Sequence, residues 1–285
     1  MATIIDGKQL ALEIRSQVRL DVVKLVEKYG KIPHLTVILI GEDPASQTYV
    51  SGKEKACQYA GIKSSIIHKD DSISEMELLN LIDDLNANND VDGILLQLPI
   101  PKHLDADKII SKILPEKDVD GFTPINVAKL AMGHPGLVPC TPLGIMRLLE
   151  KYHIEIEGKH CVVIGRSQIV GKPMASLLLK ANGTVTVCHS RTKELNKVAQ
   201  LGDILVVAIG KPNLVDKTYI KEGAVVIDVG TSRVDGKLTG DVFFESAKEK
   251  AGFITPVPGG VGPMTIACLL ENTLTCYRYL RGEKQ

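Results

Sequence analysis

Hydrophobic residues along the first third of the chain follow two different spacings. Over residues 6–29 they recur every three or four positions between Asp6 and Gly30, which predicts an amphipathic helix with Asp6 as its N-cap. The run HLTVILI at 34–40 is almost continuously apolar and ends at Gly41, which predicts a strand. The same two patterns predict further helices and strands before residue 115: helices at 44–60, 75–86 and 104–114, and strands at 65–68 and 93–98. Near-continuous apolar strands alternating with helices indicate a parallel sheet covered on both faces.

A second α/β pattern follows the tract HPGLVPCTPLG at 134–144, whose prolines and glycines mark the crossing between two domains. Beyond it a helix is expected from residue 145. The remaining pattern predicts strands at 161–164, 184–188, 204–209 and 224–229, and helices at 172–181, 192–200 and about 263–281. We therefore expect a first domain of residues 1–139, joined by the C-terminal helix at about 264–285, and a second domain of residues 140–263.

Composition narrows the class of protein. The 285 residues carry 34 Lys and Arg against 34 Asp and Glu, so no net charge attracts nucleic acid or an anionic membrane. Among apolar runs none approaches the roughly 20 residues that span a bilayer, and the start MATIIDGKQLALEIR predicts no signal peptide. The six cysteines are scattered without metal-ligand spacing, which predicts reduced thiols, a cytoplasmic location and no metal site.

The stretch GKHCVVIGRSQIVGKP at 158–173 predicts a short strand, a glycine turn and a helix start. Such a turn directs backbone N–H groups and the positive end of a helix at one point, where an anion such as a cofactor phosphate can bind. The spacing departs from the G-x-G-x-x-G fingerprint, because Ser167 replaces the second glycine and one extra residue precedes Gly171. From the turn alone, an ordinary strand–helix connection is an equal alternative.

The residues after the next predicted strand bear on the choice of cofactor. An NAD site normally places a carboxylate there, whereas this chain has His189, Ser190 and Arg191. Arg166, Ser190 and Arg191 could all bind a 2′-phosphate, although they could equally be solvated loop residues. If the site is real, it favours NADP over NAD and makes the second domain a Rossmann-like cofactor domain.

Four polar residues in the first domain are candidates for chemistry. Tyr49 and Lys53 lie four residues apart on one face of the helix predicted at 44–60, where a partly desolvated lysine could act as a base. Gln97 ends an apolar strand, at the edge of a parallel sheet where ligands bind. Asp120 could accept two hydrogen bonds from an amino-pyrimidinone ring. The alternatives are a surface helix with an extended lysine, an edge residue facing water and a turn carboxylate.

The loop PGGVGPMT at 258–265 combines three glycines, which allow close backbone approach to a ligand, with bracketing prolines that limit its freedom. Pro263 is expected as the first residue of the closing helix. Few ordinary loops combine so much permissiveness with so much stiffness.

With these residues named, the chain resembles the bifunctional methylenetetrahydrofolate dehydrogenase/methenyltetrahydrofolate cyclohydrolase family over essentially its full length. The motifs that carry the resemblance are YVSGK at 49–53, LLQLPIP at 95–101, KDVDGF at 117–122, PCTPLG at 139–144, GRSQIVGKP at 165–173 and PGGVGPMT at 258–265. The last motif and the GRS-x-IVG-x-P turn are highly specific to this family.

The resemblance implies two α/β domains with a cleft between them, in which NADP oxidises 5,10-methylenetetrahydrofolate and water hydrolyses the methenyl product to 10-formyltetrahydrofolate. It also implies a homodimer, formed through the cofactor domain. Lys53 would activate water or relay protons, Gln97 would hydrogen-bond Lys53, Tyr49 would orient the folate and Asp120 would anchor its pterin. The implied folate contacts also include Leu98, Pro258, Gly259, Gly260, Val261 and Gly262. The implied NADP contacts are Gly165, Arg166, Ser167, Ser190, Arg191 and Thr231.

One departure and three alternatives qualify these expectations. Thr231 and Ser232 stand where the family commonly has Ile-Asn, so the nicotinamide contacts there are less secure. The chain is also too short for the formate-ligating domain of some relatives. The alternatives are a dehydrogenase without hydrolase activity, a non-catalytic NADP-binding protein and an NADP-dependent dehydrogenase of a small hydroxy or keto acid. Retention of Lys53, Gln97 and Asp120 together argues against the first. A non-catalytic protein would have no need for Tyr49, Lys53 and Gln97 beside an intact Gly259 loop, which argues against the second.

Overall fold

The computed structural model describes residues 2–283, which group into two compact units. The three-stranded unit contains Leu12–Cys140 and the described residues from Ile266 onward. The six-stranded unit contains the described residues up to Ala11 together with Thr141–Thr265. Both units are α/β, as the hydrophobic pattern predicts.

The helices and strands alternate along most of the chain. The helices are α1 (Gly7–Tyr29), α2 (Pro44–Ala60), α3 (Glu75–Ala87), α4 (Ala106–Lys112), α5 (Pro124–Ala131), α6 (Cys140–Lys151), α7 (Gly171–Lys180), α8 (Leu195–Ala199), α9 (Phe244–Ala247) and α10 (Val261–Tyr279). The strands are β1 (Thr3–Ile4), β2 (His34–Ile40), β3 (Lys63–Lys69), β4 (Gly93–Leu96), β5 (His160–Ile164), β6 (Thr184–Cys188), β7 (Ile204–Val207), β8 (Val225–Asp228), β9 (Ser232–Val234), β10 (Lys237–Thr239) and β11 (Phe253–Ile254).

The three-stranded unit is built on a parallel sheet in the order β3-β2-β4. All seven residues of the central strand β2 are buried, which explains its near-continuous apolar sequence. Helix α3 begins with a capping box in which Ser74 and Glu77 exchange hydrogen bonds with each other's backbone. Its buried face packs with the strands through Leu78, Ile82 and Leu85. The carboxyl ends of β2 and β4 therefore lie side by side at one edge of this sheet.

The six-stranded unit contains a parallel sheet in the order β1-β11-β8-β7-β5-β6. The chain passes from β5 to β6 on one side and then to β7 on the other, so the strand order reverses between β5 and β7. Ligands of open parallel sheets bind outside the carboxyl ends of the strands at such a reversal. Strands β7 and β8 are fully buried, and the core beneath the sheet includes Val162, Leu205 and Val226.

Several predicted boundaries are wrong. Helix α6 begins at Cys140 instead of 145, because Pro142 lies in its first turn, where a proline is tolerated. Strand β4 ends at Leu96 and not 98, although the N–H of Gln97 still donates to the carbonyl of Ile38 at 2.9 Å. Helix α10 begins at Val261, so Pro263 is not its first residue.

Some elements lie outside the predicted set. These are β1, α5, the antiparallel pair β9–β10, α9 and β11. Strand β1, which the sequence analysis includes in the first domain, pairs with β11 in the sheet of the six-stranded unit. Within residues 2–283, no helix is both long and apolar enough to cross a membrane.

Candidate active site and cofactor site

Helix α2 presents Tyr49 and Lys53 one turn apart. Its start is fixed by Asp43, whose carboxylate accepts the N–H of Ser46 at 2.8 Å, and its end by Gly61 in the left-handed conformation. The Tyr49 side chain is 47% exposed, whereas Lys53 is half-buried. The tyrosine ring is therefore available to a ligand, and the lysine reaches into the protein.

The Nζ atom of Lys53 donates a hydrogen bond of 2.9 Å to Oε1 of Gln97, just beyond the carboxyl end of β4. The amide of Gln97 is buried, and its Nε2 donates to the carbonyl of Leu98 at 2.6 Å. That second bond fixes which end of the amide faces Lys53. The pair places the Lys53 ammonium group at the carboxyl end of β4. Gln97 uses one of its three N–H bonds and leaves the other two for a ligand or water.

The turn KDVDGF separates two aspartates with different environments. Asp118 is buried, and its carboxylate accepts the N–H of Thr123 at 2.8 Å and the side-chain amide of Asn126 at 2.9 Å. Asp120 is partly exposed, and from residues 2–283 it accepts only a long contact of 4.0 Å from Sγ of Cys140. Asp118 therefore holds the turn together, while the Asp120 carboxylate is available to a ligand.

Although Asp120 as a residue is partly exposed, desolvation of its carboxyl by the surrounding protein raises its pKa to about 6, and the negative charge of Asp118 also acts to raise it. The positive charge of Lys53 acts in the opposite direction and lowers it. Lys53 therefore interacts electrostatically with Asp120 as well as directly with Gln97. These three side chains form one polar cluster in the three-stranded unit.

Asn272, on helix α10, supports this cluster and was missed by the sequence analysis. Its Nδ2 donates to the carbonyls of Val119 at 2.8 Å and of Val138 at 2.9 Å. The asparagine is 4% exposed. It ties the Asp120 turn to the segment before α6. An asparagine within the helix predicted at about 263–281 was the signal that could have revealed it, because a buried amide needs partners.

The glycine loop 258–262 belongs to the six-stranded unit. Gly259 has a φ of +108°, which favours glycine, and its carbonyl accepts the N–H of Lys8 at 2.9 Å. At Gly260 an added Cβ would lie 2.6 Å from the carbonyl oxygen of Pro256. Pro258 and Gly262 are exposed, whereas Val261 is buried at the start of α10. The loop can offer a ligand backbone groups and Pro258, but little of the Val261 side chain.

The turn after β5 is shaped for close approach of a ligand to the backbone. Gly165 has a φ of +128°, and a Cβ there would lie 2.2 Å from the carbonyl oxygen of Ala208. A Cβ at Gly171 would lie 2.3 Å from the carbonyl oxygen of Gly165. The Ser167 hydroxyl accepts the N–H groups of Val170 and Gly171, both at 3.2 Å. It thereby caps helix α7.

The backbone N–H groups of residues 166–169 donate to no protein acceptor within the described range 2–283. They precede the positive end of a helix of ten residues. The side chain of Arg166 is exposed beside them. The turn therefore fits a phosphate group through free donors and positive charge.

Ser190 and Arg191 are exposed in the turn after β6, which adjoins β5 in the sheet. The N–H of Arg191 donates to Nδ1 of His189 at 3.1 Å, and the N–H of His189 donates to the Thr192 hydroxyl at 2.9 Å. These bonds fix the turn without using the Arg191 guanidinium. Thr231 is exposed after β8, at the same edge of the sheet but two strands away from β5.

A parallel sheet with an anion-binding turn at its strand-order reversal defines an α/β protein with a dinucleotide-binding unit. Family models identify that unit further. Residues 139–281 match the NAD(P)-binding domain of tetrahydrofolate dehydrogenase/cyclohydrolase, and residues 5–120 match its catalytic domain. The chain belongs to the tetrahydrofolate dehydrogenase/cyclohydrolase family.

Individual relatives agree over nearly the whole chain. The bifunctional protein FolD of Campylobacter hominis is 57% identical over 272 residues, which are 95% of each chain. The crystal structure of the FolD methylenetetrahydrofolate dehydrogenase/cyclohydrolase of Campylobacter jejuni is 49% identical, with a TM-score of 0.96 over 98% of this chain and 99% of that one. The Trypanosoma brucei enzyme, solved with NADP and an inhibitor, is 40% identical, with a TM-score of 0.94 over 99% of both chains.

Proposed function

We infer that this chain catalyses both reactions for which its family is named. In the first, a C–H bond of the methylene carbon of 5,10-methylenetetrahydrofolate breaks and the hydride passes to NADP, which leaves the cationic methenyl form. In the second, water adds to that carbon and a C–N bond breaks, giving 10-formyltetrahydrofolate and one proton. The observation that carries the inference is the pairing of both family domains with the Lys53–Gln97 contact in a single chain.

The cofactor assignment is supported by the fit of the strand-end turns to NADP. We propose that Gly165, Arg166 and Ser167 hold its phosphates, with Ser190 and Arg191 at the 2′-phosphate and Thr231 near the nicotinamide. The bound NADP supplies the hydride acceptor. An anionic dinucleotide requires glycines that allow close approach to the backbone, N–H donors without a protein acceptor, and positive charge. The turns after β5 and β6 provide all three, the charge coming from two exposed arginines.

The hydrolytic step is assigned to Lys53. It has N–H groups to spare beside Gln97, and a positive charge on the folate disfavours a second positive charge on the lysine. Both conditions suit a group that activates water or relays a proton. We propose that Gln97 holds the ammonium in place through its buried carbonyl oxygen.

Recognition of the folate is assigned to further residues of both units, as the family resemblance implies. We propose that the ionised Asp120 accepts two hydrogen bonds from the pterin and that the exposed ring of Tyr49 orients it. The remaining proposed contacts are Leu98, Pro258, Gly259, Gly260, Val261 and Gly262. The Val261 contact would be through its backbone, because its side chain is buried.

In the test, the protein is mixed with 5,10-methylenetetrahydrofolate and either NADP or NAD, and the absorbance of the reduced cofactor and of the methenyl intermediate is measured over time. The wild type should form NADPH without accumulating the methenyl intermediate. The Lys53→Met variant should form NADPH and accumulate the methenyl intermediate. Lys55→Met is the matched control, since Lys55 is an exposed lysine of the same helix. It should behave as the wild type does.

The other outcomes identify the alternatives. Methenyl accumulation in the wild type and in Lys53→Met alike would indicate a dehydrogenase without hydrolase activity. Absence of reduction with either cofactor would indicate a non-catalytic protein. Cofactor reduction by a small hydroxy acid in the absence of folate would indicate a different dehydrogenase.

We also propose a homodimer that forms through the six-stranded unit. Strand β6 is the last strand of its sheet, so one side of its backbone can pair with another chain. The exposed side chains Val187 in β6 and Leu179 in α7 favour association on this side. Light scattering of the purified protein would give the mass, and Val187→Lys should shift it toward the monomer.

A cytoplasmic location is proposed on the burial of all six cysteines, which suits a reducing compartment.

A further inference from the structure

Two buried carboxylates lie at the carboxyl edge of the six-stranded sheet, outside the residues assigned above. Asp228 is the last residue of β8 and is 3% exposed, while Asp241 follows β10 and is 0% exposed. Within residues 2–283, no Lys, Arg or His side chain forms an ion pair with either carboxylate. Burying a charge without a cation is costly, so the fold must supply other donors.

Asp241 holds the loop that follows β7. Its Oδ2 accepts the backbone N–H groups of Ile209 at 2.8 Å and of Gly210 at 2.9 Å. Strand β7 adjoins β5 at the reversal of strand order, so this loop borders the position where a dinucleotide binds. A single carboxylate oxygen therefore sets the path of the backbone there.

Asp228 holds the loop that follows β8 and also Asp241 itself. Its Oδ1 accepts the N–H groups of Gly230 and Asp241, both at 2.9 Å, and its Oδ2 accepts the N–H of Val242 at 2.9 Å. The two carboxylates thus form a continuous connection from the loop after β7, through Asp241 and Asp228, to the loop after β8.

Two glycines pack directly against the carboxylates, so a larger residue would not fit at either position. A Cβ at Gly240 would lie 1.9 Å from Oδ2 of Asp228, and a Cβ at Gly230 would lie 2.6 Å from Oδ1 of Asp241. Among residues 2–283, no protein group donates a hydrogen bond to that Oδ1, so only the Oδ2 of Asp241 is used to hold backbone.

We propose that Asp228 and Asp241 are positioning residues for NADP, which fix the loops at 208–210 and 229–231 in the conformation that receives the cofactor. The inference rests on the proposed dehydrogenase activity, and it concerns residues that do not themselves touch the cofactor. The two carboxylates accept five backbone N–H groups, of which three, those of Ile209, Gly210 and Gly230, belong to these two short loops. Loops fixed in advance lose less entropy on binding, and the cofactor therefore binds more tightly.

The first test compares NADP binding by calorimetry in the wild type, Asp241→Ala and Asp203→Ala. Asp203 is the matched control. Its carboxylate also accepts a backbone N–H, that of His160 at 2.9 Å, but it lies at the amino ends of the strands, away from the proposed cofactor site. Asp241→Ala should raise the Kd of NADP about tenfold or more, whereas Asp203→Ala should leave it unchanged. Circular dichroism and the thermal unfolding midpoint of each variant check that the six-stranded unit is folded.

The second test needs no variant. Amide hydrogen exchange of the free wild type should already protect Ile209, Gly210 and Gly230, and NADP should add little protection there. Rapid exchange of these amides in the free protein would overturn the proposal, as would an unchanged Kd of NADP in Asp241→Ala. Failure of the wild type to bind NADP would instead refute the proposed function, so the two failures are distinguishable.

Discussion

Lys53 and Gln97 lie 44 positions apart in the chain, and the ammonium of one donates to the amide oxygen of the other at 2.9 Å. The acceptor is neutral, so Gln97 orients the ammonium without adding a negative charge that would favour its protonated form. A carboxylate at position 97 would hold the proton on Lys53 more firmly. The neutral amide is therefore suited to a lysine that exchanges protons during hydrolysis.

Substitution of Gln97 by Glu should slow hydrolysis of the methenyl form. The new carboxylate would pair with Lys53 and oppose release of its proton, with an expected loss of about 100-fold, the lower range for positioned acid–base groups. Stopped-flow absorbance of the methenyl form measures the rate. Gln58→Glu, at an exposed position of α2, serves as the control. A Gln97→Glu rate equal to the wild-type rate would remove Gln97 from the hydrolytic step.

Folate binding should weaken as the pH falls through 6. The pKa of Asp120 is raised to about 6, so its carboxylate is ionised above that pH and protonated below it. Only the ionised form can accept a hydrogen bond at each oxygen without presenting an O–H donor of its own, and the Kd of tetrahydrofolate should rise about tenfold per pH unit below 6. Asp120→Asn should bind more weakly at pH 7 and lose this dependence. The Kd measured between pH 5 and 8 checks both statements, and a steep pH dependence retained by Asp120→Asn would assign the titration to another group.

Substitution of Arg191 by Ala should reduce the preference for NADP over NAD. A lost charge-assisted contact with the 2′-phosphate corresponds to a fall of about 10-fold to 100-fold in kcat/KM for NADP, with NAD unaffected. Lys193→Ala, which removes an exposed cation two residues away, is the control. An unchanged preference in Arg191→Ala would leave recognition of the 2′-phosphate to Arg166 and Ser190.

Arg281→Ala should destabilise the protein by about 3 to 5 kcal/mol, because it removes one partner of a buried ion pair. The guanidinium Nη1 donates to Asp92 at 2.9 Å, and the Asp92 side chain is only 1% exposed. The same guanidinium stacks 3.3 Å from the centroid of the Tyr277 ring. Urea unfolding gives the change in free energy. Arg278→Ala should cost about 1 kcal/mol or less, since its ion pairs lie near the surface.

Local signals predicted much of the fold. Strands β2 and β6 and helix α2 have their predicted bounds. The residues that form each of these elements and those that end it are neighbours in sequence, so a local pattern is enough to locate them. Strands β1 and β11 have two residues each and exist only through pairing with strands distant in sequence, which no local pattern encodes. The hairpin β9–β10 was a different case. Asp235 and Gly236 both have positive φ, and this Asp-Gly turn signal was overlooked.

The candidate site was only partly predictable. The spacing of Tyr49 and Lys53 followed from helical periodicity, but the contact of Lys53 with Gln97 was expected only from the family resemblance. The sequence analysis singled out Asp120 and did not consider Asp118. The two carboxylates differ because Asp118 is bound by its own turn, and this difference depends on folded geometry. For the same reason the Asp228–Asp241 pair escaped notice.

The route of the chain between the two units has a consequence for biosynthesis. The three-stranded unit begins at Leu12 but includes α10 beyond Ile266, and Asn272 in that helix supplies the donors for the carbonyls of Val119 and Val138. A nascent chain whose ribosome has not yet passed this helix lacks those donors. We therefore expect the turn that carries Asp120 to reach its final form only after α10 has been synthesised, long after its own residues have left the exit tunnel.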